Sequence, residues 1–180
     1  PIKNRLYTAD IEFNTISCYL QGTTLLTSIQ LEDIFGKQTL GPSCISVDYW
    51  SNIWVSLFDD RRILKFDYNL NYLLSAAPYP EIDNPLWAGT WLEPKNPTFS
   101  PPMLETDRLG YVWVCYPSNE APSRMYKFDP TGTPLLSADL PENSSPISLS
   151  IGSDNSVWVA CKSTDEIIAF TSNGTRLSSD

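Results

Sequence analysis

The chain has no histidine. That removes the side chain most often used as a general base near neutral pH, and with it any Ser–His–Asp or Cys–His arrangement. Cysteine is scarce. Cys18, Cys44, Cys115 and Cys161 lie far apart, match no metal-ligand spacing, and are too few for a disulfide-stapled scaffold. The expectation is free thiols, with Cys18, Cys115 and Cys161 on or beside strands as small buried hydrophobes. No apolar run approaches the ~20 residues of a membrane-spanning helix, and no signal-peptide pattern is present. Basic charge is short as well: 12 Lys and Arg stand against 21 Asp and Glu, a net charge of −9. Nucleic acid and anionic membrane are therefore poor candidates for the main partner, and the simplest meaning of the acidity is solubility. No glycine-rich phosphate loop or dinucleotide fingerprint occurs. Sustained helical spacing is missing too, and only residues 29–36 allow a single helical turn.

What is present is a repeat. One copy runs Ile45–Asp48, Ile53–Ser56, Ile63–Asp67 and Leu73–Ser75; a second runs Met103–Asp107, Val112–Cys115, Met125–Asp129 and Leu135–Ser137. A third runs Ile147–Ile151, Val157–Ala160, Ile167–Phe170 and Arg176–Ser178. Each is four short apolar segments separated by turn-formers, the pattern of a β-propeller blade. The Phe of the third segment keeps one distance to the Leu of the fourth: Phe66 to Leu73, Phe128 to Leu135, Phe170 to Leu177. Leu6, Cys18 and Leu25 fit the same ruler, so residues 5–28 read as a blade with second, third and fourth segments but no first. Cys18 is thereby aligned with the three phenylalanines.

The predicted fold class is all-β, a propeller of four-stranded antiparallel blades. The divisions are a partial blade at 5–28, blades at 40–77, 99–140 and 144–180, and an inserted connection at 78–98. About three and three-quarter blades are present, which points to a larger ring or assembly, because an open array with bare edges aggregates. Segments such as Ile53-Trp-Val-Ser-Leu57 are β-branched or aromatic on both faces, as a strand between two neighbouring sheets requires. On that basis Trp54, Trp113 and Trp158, with Phe66, Phe128 and Phe170, are expected to pack between blades.

This pattern resembles the blades of streptogramin lyase-like and NHL-repeat propellers over nearly the whole chain. More loosely, it is similar to propeller modules of bacteriophage tail and virion proteins. The resemblance implies the fold and leaves the activity open. In the lyases the chemistry looks to depend on histidine, which is missing here; lactonase-like propellers use acidic and Asn residues around a divalent cation, and no matching set is found. No cofactor and no metal site is expected.

Strand parity places the irregular loops on one face. They are Asp59-Asp60-Arg61-Arg62, residues 117–122, residues 162–166, and the connection from Ala76 to Pro102. That connection holds Pro78, Pro80, Pro85, Pro94, Pro97, Pro101 and Pro102 together with Trp87 and Trp91. Trp87 and Trp91 either anchor a partner or fold back over the blade edges. Asp59, Asp60, Arg61 and Arg62 form either a contact surface or a mutually satisfied hairpin tip. Asp48, Asp107 and Asp154 read as turn-initiating carboxylates rather than a calcium ring. The sequons at Asn143 and Asn173 both lie in turns.

The favoured function is a non-catalytic structural or interaction module that binds protein or glycan through this loop face, in a virion or on a cell surface. The alternative is a piece of a lyase-like or lactonase-like enzyme whose active site lies outside this segment.

Overall fold

The computed structural model describes residues 4–36, 41–58, 62–77, 101–117 and 122–177. Among these residues, fourteen strands form four antiparallel sheets, accompanied by one short helix. The first sheet holds β1 (Arg5–Asp10), β2 (Thr15–Leu20) and β3 (Thr24–Gln30). The second holds β4 (Pro42–Val47), β5 (Ile53–Leu57), β6 (Ile63–Phe66) and β7 (Tyr72–Ala76). The third holds β8 (Met103–Thr106), β9 (Val112–Tyr116), β10 (Arg124–Phe128) and β11 (Pro134–Asp139). The fourth holds β12 (Pro146–Ile151), β13 (Val157–Cys161) and β14 (Glu166–Phe170). In every sheet the strands pair in sequence order. The innermost strands β4, β8 and β12 lie side by side, and β1 adjoins β4. The chain is thus a partial propeller of four-stranded blades.

Bulges identify equivalent strands. A bulge interrupts the third-to-fourth-strand pairing at Lys65/Phe66 in the second sheet and at Lys127/Phe128 in the third. The same irregularity falls at Cys18/Tyr19 between β2 and β3. The first sheet therefore consists of second, third and fourth strands, with no first strand among the described residues. The pairing also corrects the sequence ruler. Tyr19 pairs with Leu25 just as Phe66 pairs with Tyr72 and Phe128 with Pro134, so Tyr19, not Cys18, stands where the phenylalanines stand. A one-residue slip exchanges the two faces of a strand, so Cys18 points toward the second sheet and Tyr19 away from it. In the fourth sheet the fourth strand is represented by a single bridge, Phe170 to Arg176.

In the second and third sheets the turn between third and fourth strands is tied at its base by an aspartate. Asp67 Oδ1 accepts the Asn69 and Asn71 amides, and Asp129 Oδ1 accepts those of Thr131 and Thr133. The helix α1 (Leu31–Phe35) fills the predicted single turn and ends at Gly36 in the left-handed region. Its Phe35 ring meets Tyr72 of β7 edge-on at 5.3 Å, and Leu31 is fully buried.

Burial follows sheet position. Every residue of β5 and β9 is buried, since both strands have a sheet on either side. In β13 burial alternates, and Trp158 is 45% exposed. Among the described sheets, Trp158 therefore has a neighbour on one side only. Trp54 and Trp113 are fully buried, whereas the fourth sheet is the last in order and no described element covers its far face. Phe66, Phe128 and Phe170 are all buried. All four cysteines are free thiols; Cys18, Cys115 and Cys161 are buried and Cys44 is half-buried.

Candidate functional site

The described polar chemistry concentrates at the seams between sheets. Each seam packs one sheet's face bearing the second-strand aromatic (Tyr7, Trp54 or Trp113) on the phenylalanine-bearing face of the next. Between the second and third sheets, Trp54, Ile63 and Leu74 meet Val112, Val114, Tyr126 and Phe128. Between the third and fourth, Trp113, Cys115 and Met125 meet Val157, Val159, Ile168 and Phe170. Between the first and second, Ile16, Cys18 and Tyr7 meet Ile53, Val55, Leu64 and Phe66.

A hydrogen bond crosses each of these seams at one equivalent place, the carbonyl at the second residue of the next sheet's third-to-fourth-strand turn. Lys65 Nζ donates to Pro130 O at 2.7 Å, and Lys127 Nζ donates to Ser172 O at 2.9 Å. At the first seam the Lys position is Cys18, and Tyr7 Oη takes over, donating to Tyr68 O at 2.8 Å, joined by the Arg5 guanidinium. The lysines also lie over aromatic rings. Lys65 Nζ is 4.8 Å from the Trp54 centroid; Lys127 Nζ is 4.9 Å from Trp113 and 4.3 Å from Tyr111. Burial lowers both lysine pKa values, with Asp48 and Asp129 opposing at Lys65 and Asp107 at Lys127. A buried ammonium is tolerated because ring faces and a carbonyl replace its water.

The turns between first and second strands carry the carboxylates. Asp48 accepts the amides of Trp50 and Asn52 and the Trp54 indole N–H at 3.1 Å. Asp107 accepts the amides of Leu109 and Tyr111, and Asp154 accepts the amide and hydroxyl of Ser156. Ser156 Oγ in turn accepts the Trp158 indole. All three aspartates shape turns; Asp48 directly and Asp154 through Ser156 also orient a tryptophan, whereas the buried Trp113 indole N–H has no hydrogen-bond partner among the described residues. Among the described residues no group of three or more His, Cys, Asp or Glu side chains converges to hold a metal ion.

The inner wall between the second and third sheets is polar and zipped by side chains. Ser56 Oγ donates to Pro102 O, Ser46 Oγ bonds Thr106 Oγ1 at 3.0 Å, and Cys44 Sγ contacts the Leu104 carbonyl and amide. Burial pushes the Cys44 thiol pKa up, so its reactive thiolate form is disfavoured.

Of the predicted contact residues, Asp59, Asp60, Arg61, Trp87 and Trp91 lie outside the described residues. Arg62 is described, and its guanidinium sits over the Phe35 ring at 5.3 Å. The structure also reveals an exposed apolar cluster on the opposite face, in the turns the sequence presents as short and regular. Tyr49 is 76% exposed and Leu109 59%, and the Trp50 ring, 54% exposed, lies across Gly110 of the next sheet. Two adjacent aromatics in a turn, Tyr49-Trp50, were the available signal.

No family model matches the chain, and no curated protein matches it significantly. Solved structures do. A streptogramin B lyase superposes with a TM-score of 0.73 at 18% identity, over 98% of this chain and 51% of that one. A catalytically inactive histidine-to-alanine variant of virginiamycin B lyase from Staphylococcus aureus, with quinupristin, gives 0.73 at 17% identity, over 98% and 52%. A protein of unknown function from Bacteroides caccae gives 0.63 at 12%, over 97% and 56%. At these identities the likeness is one of fold. The chain spans about half the length of the solved structures it matches.

Proposed function

We propose that this chain is a non-catalytic propeller module that serves as a rigid structural or interaction element and meets a protein partner through its loop-bearing surfaces. The observation that supports this reading most is what the carboxylates do. Asp48, Asp67, Asp107, Asp129 and Asp154 are committed to backbone amides and neighbouring side chains at the turns, which makes them scaffold rather than acid–base pairs. The sequence has no histidine, whereas a histidine-to-alanine variant of the virginiamycin B lyase is catalytically inactive. The contact set proposed on the irregular face is Asp59, Asp60, Arg61 and Arg62 with Trp87 and Trp91, and a glycan is the second class of ligand such a face suits. A virion or cell-surface setting belongs to the same reading; its support is the looser resemblance of the repeat to bacteriophage tail and virion modules.

The test is incubation of the purified chain with quinupristin, followed by mass spectrometry. The expected result is an unchanged ligand over a day. Time-dependent conversion would place catalytic residues within this segment and overturn this reading, and with it the alternative whose active site lies outside the segment.

A further inference from the structure

Two faces have no covering element among the described residues, and they differ in kind. On the fourth sheet the tryptophan-bearing face is open. Trp158 is 45% exposed, Ile167 71% and Leu177 42%, and with Ala169 they line one shallow cleft. On the first sheet the opposite type of face is open. There Leu6, Thr8, Ser17 and Tyr19 occupy the positions of Ile53, Val55, Leu64 and Phe66, and Leu6 is 49% and Leu25 54% exposed. Ser17 and Ser28 on this face bond each other at 2.8 Å, so their hydroxyls lose no partner if water leaves.

Every seam within the chain joins a tryptophan-type face to a phenylalanine-type face. The two open faces are one of each, so they are complementary by the rule the chain already applies at each of its seams. We propose that they close on each other between two copies of the chain, the fourth sheet of each copy lying on the first sheet of the other. Length agrees. One copy spans 51% of the streptogramin B lyase structure, so two copies supply about the same amount of propeller. A head-to-tail contact of this kind forms a ring when its rotation closes and a filament when it does not. Two copies satisfying both pairs of faces leave no apolar sheet face bare.

The intermolecular seam differs from the internal ones in a way that sets its strength. Trp158 pairs with Ala169, where Trp54 pairs with Lys65 and Trp113 with Lys127. The lysine bond to the next sheet's turn is therefore absent, and the seam rests on burial of Trp158, Ile167 and Leu177, with Glu166 and Arg176 lining the same cleft. Pairing is expected to be reversible and dependent on concentration.

This inference goes beyond the interaction-module reading: that reading puts a partner on the loops, whereas this one puts a second copy on the open sheet faces. The experiment is sedimentation velocity of the 180-residue chain over a wide micromolar range. The expected species has twice the 20.2 kDa chain mass and dissociates on dilution. Trp158→Lys and Leu6→Lys each alter one open face, and each is expected to raise the dissociation constant at least tenfold without changing the far-UV circular dichroism. An equimolar mixture of the two variants retains one intact pair of faces and is expected to recover part of the association. A wild-type chain monomeric throughout overturns the proposal. So does growth into open filaments, or a dimer that Trp158→Lys breaks and Leu6→Lys leaves intact, which would mean like faces pairing. Quinupristin conversion would sink the interaction-module reading and leave the mass unchanged, so the two failures are distinguishable.

Discussion

Lys65 of the second sheet donates to the Pro130 carbonyl of the third across 2.7 Å, with its ammonium 4.8 Å from the Trp54 ring centroid. One side chain thereby covers the indole of its own sheet and fastens the turn of the next. Lys127 and Ser172 repeat the arrangement one sheet later. Replacing Lys65 with Met keeps the stem and leaves the carbonyl without its donor. The expected loss is about 1.5–3 kcal/mol, the usual worth of a hydrogen bond to a charged group. Urea unfolding monitored by tryptophan fluorescence measures it, and a variant more stable than the parent would show that desolvating the ammonium outweighs the bond.

Trp113 and Trp158 hold the same repeat position and differ in surroundings. Trp113→Ala empties a site with no solvent exposure and is expected to cost roughly 3–5 kcal/mol of folding stability. Trp158→Ala, on the open face, is expected to weaken association of copies and to cost the folded chain far less. Denaturation at high dilution separates the two effects. Equal losses there would mean that the fourth sheet is covered by its own chain.

A methyl group at Gly110 would sit 1.8 Å from the Trp50 ring, at a backbone φ of +79°. Gly110→Ala therefore combines a strained backbone with displacement of the indole, and a loss of about 1–3 kcal/mol is expected. Trp50 emission should shift to the red. An unchanged melting temperature and spectrum would refute the packing of this ring across the seam.

Asp129 links stability to acid. Partial desolvation raises its pKa, but hydrogen bonds from the Thr131 hydroxyl and from the Thr133 and Thr131 amides outweigh this and hold it below the usual 3.8. The folded value is the lower one, so the carboxylate's contribution is complete above the unfolded value and is lost as pH falls through the folded one. Asp129→Asn should melt below the parent at neutral pH, and the gap should close on acidification below about 3.8. Melting curves from pH 7 to pH 2 decide it; a gap constant across that range would mean that the carboxylate's charge is irrelevant to the turn.

The repeat was legible in the sequence because each strand type has its own local chemistry. Ile53-Trp-Val and Val112-Trp-Val are apolar on both faces, and Asp129-Pro-Thr-Gly132 is a turn in its own right. The first sheet was legible only to within one residue. Cys18 and Tyr19 are adjacent, both suit a strand, and the bulge that decides between them is a property of the pairing with β3. The seam bonds were not legible. A lysine in a strand reads as solvated unless the next sheet's carbonyl is known to lie above it, and nothing in Pro130 or Ser172 marks those carbonyls as acceptors.

By itself the sequence determined that the chain forms short strands between tight turns, arranged as four successive sheets, because side-chain alternation and turn chemistry act over a few neighbouring residues. The tertiary structure decided which face of each sheet is buried and which indole meets water. It also placed Lys65, Lys127 and Tyr7 as bridges between sheets. These outcomes depend on residues some 45 to 65 positions apart in the chain coming within hydrogen-bond distance, and spacing along the chain carries no record of that approach.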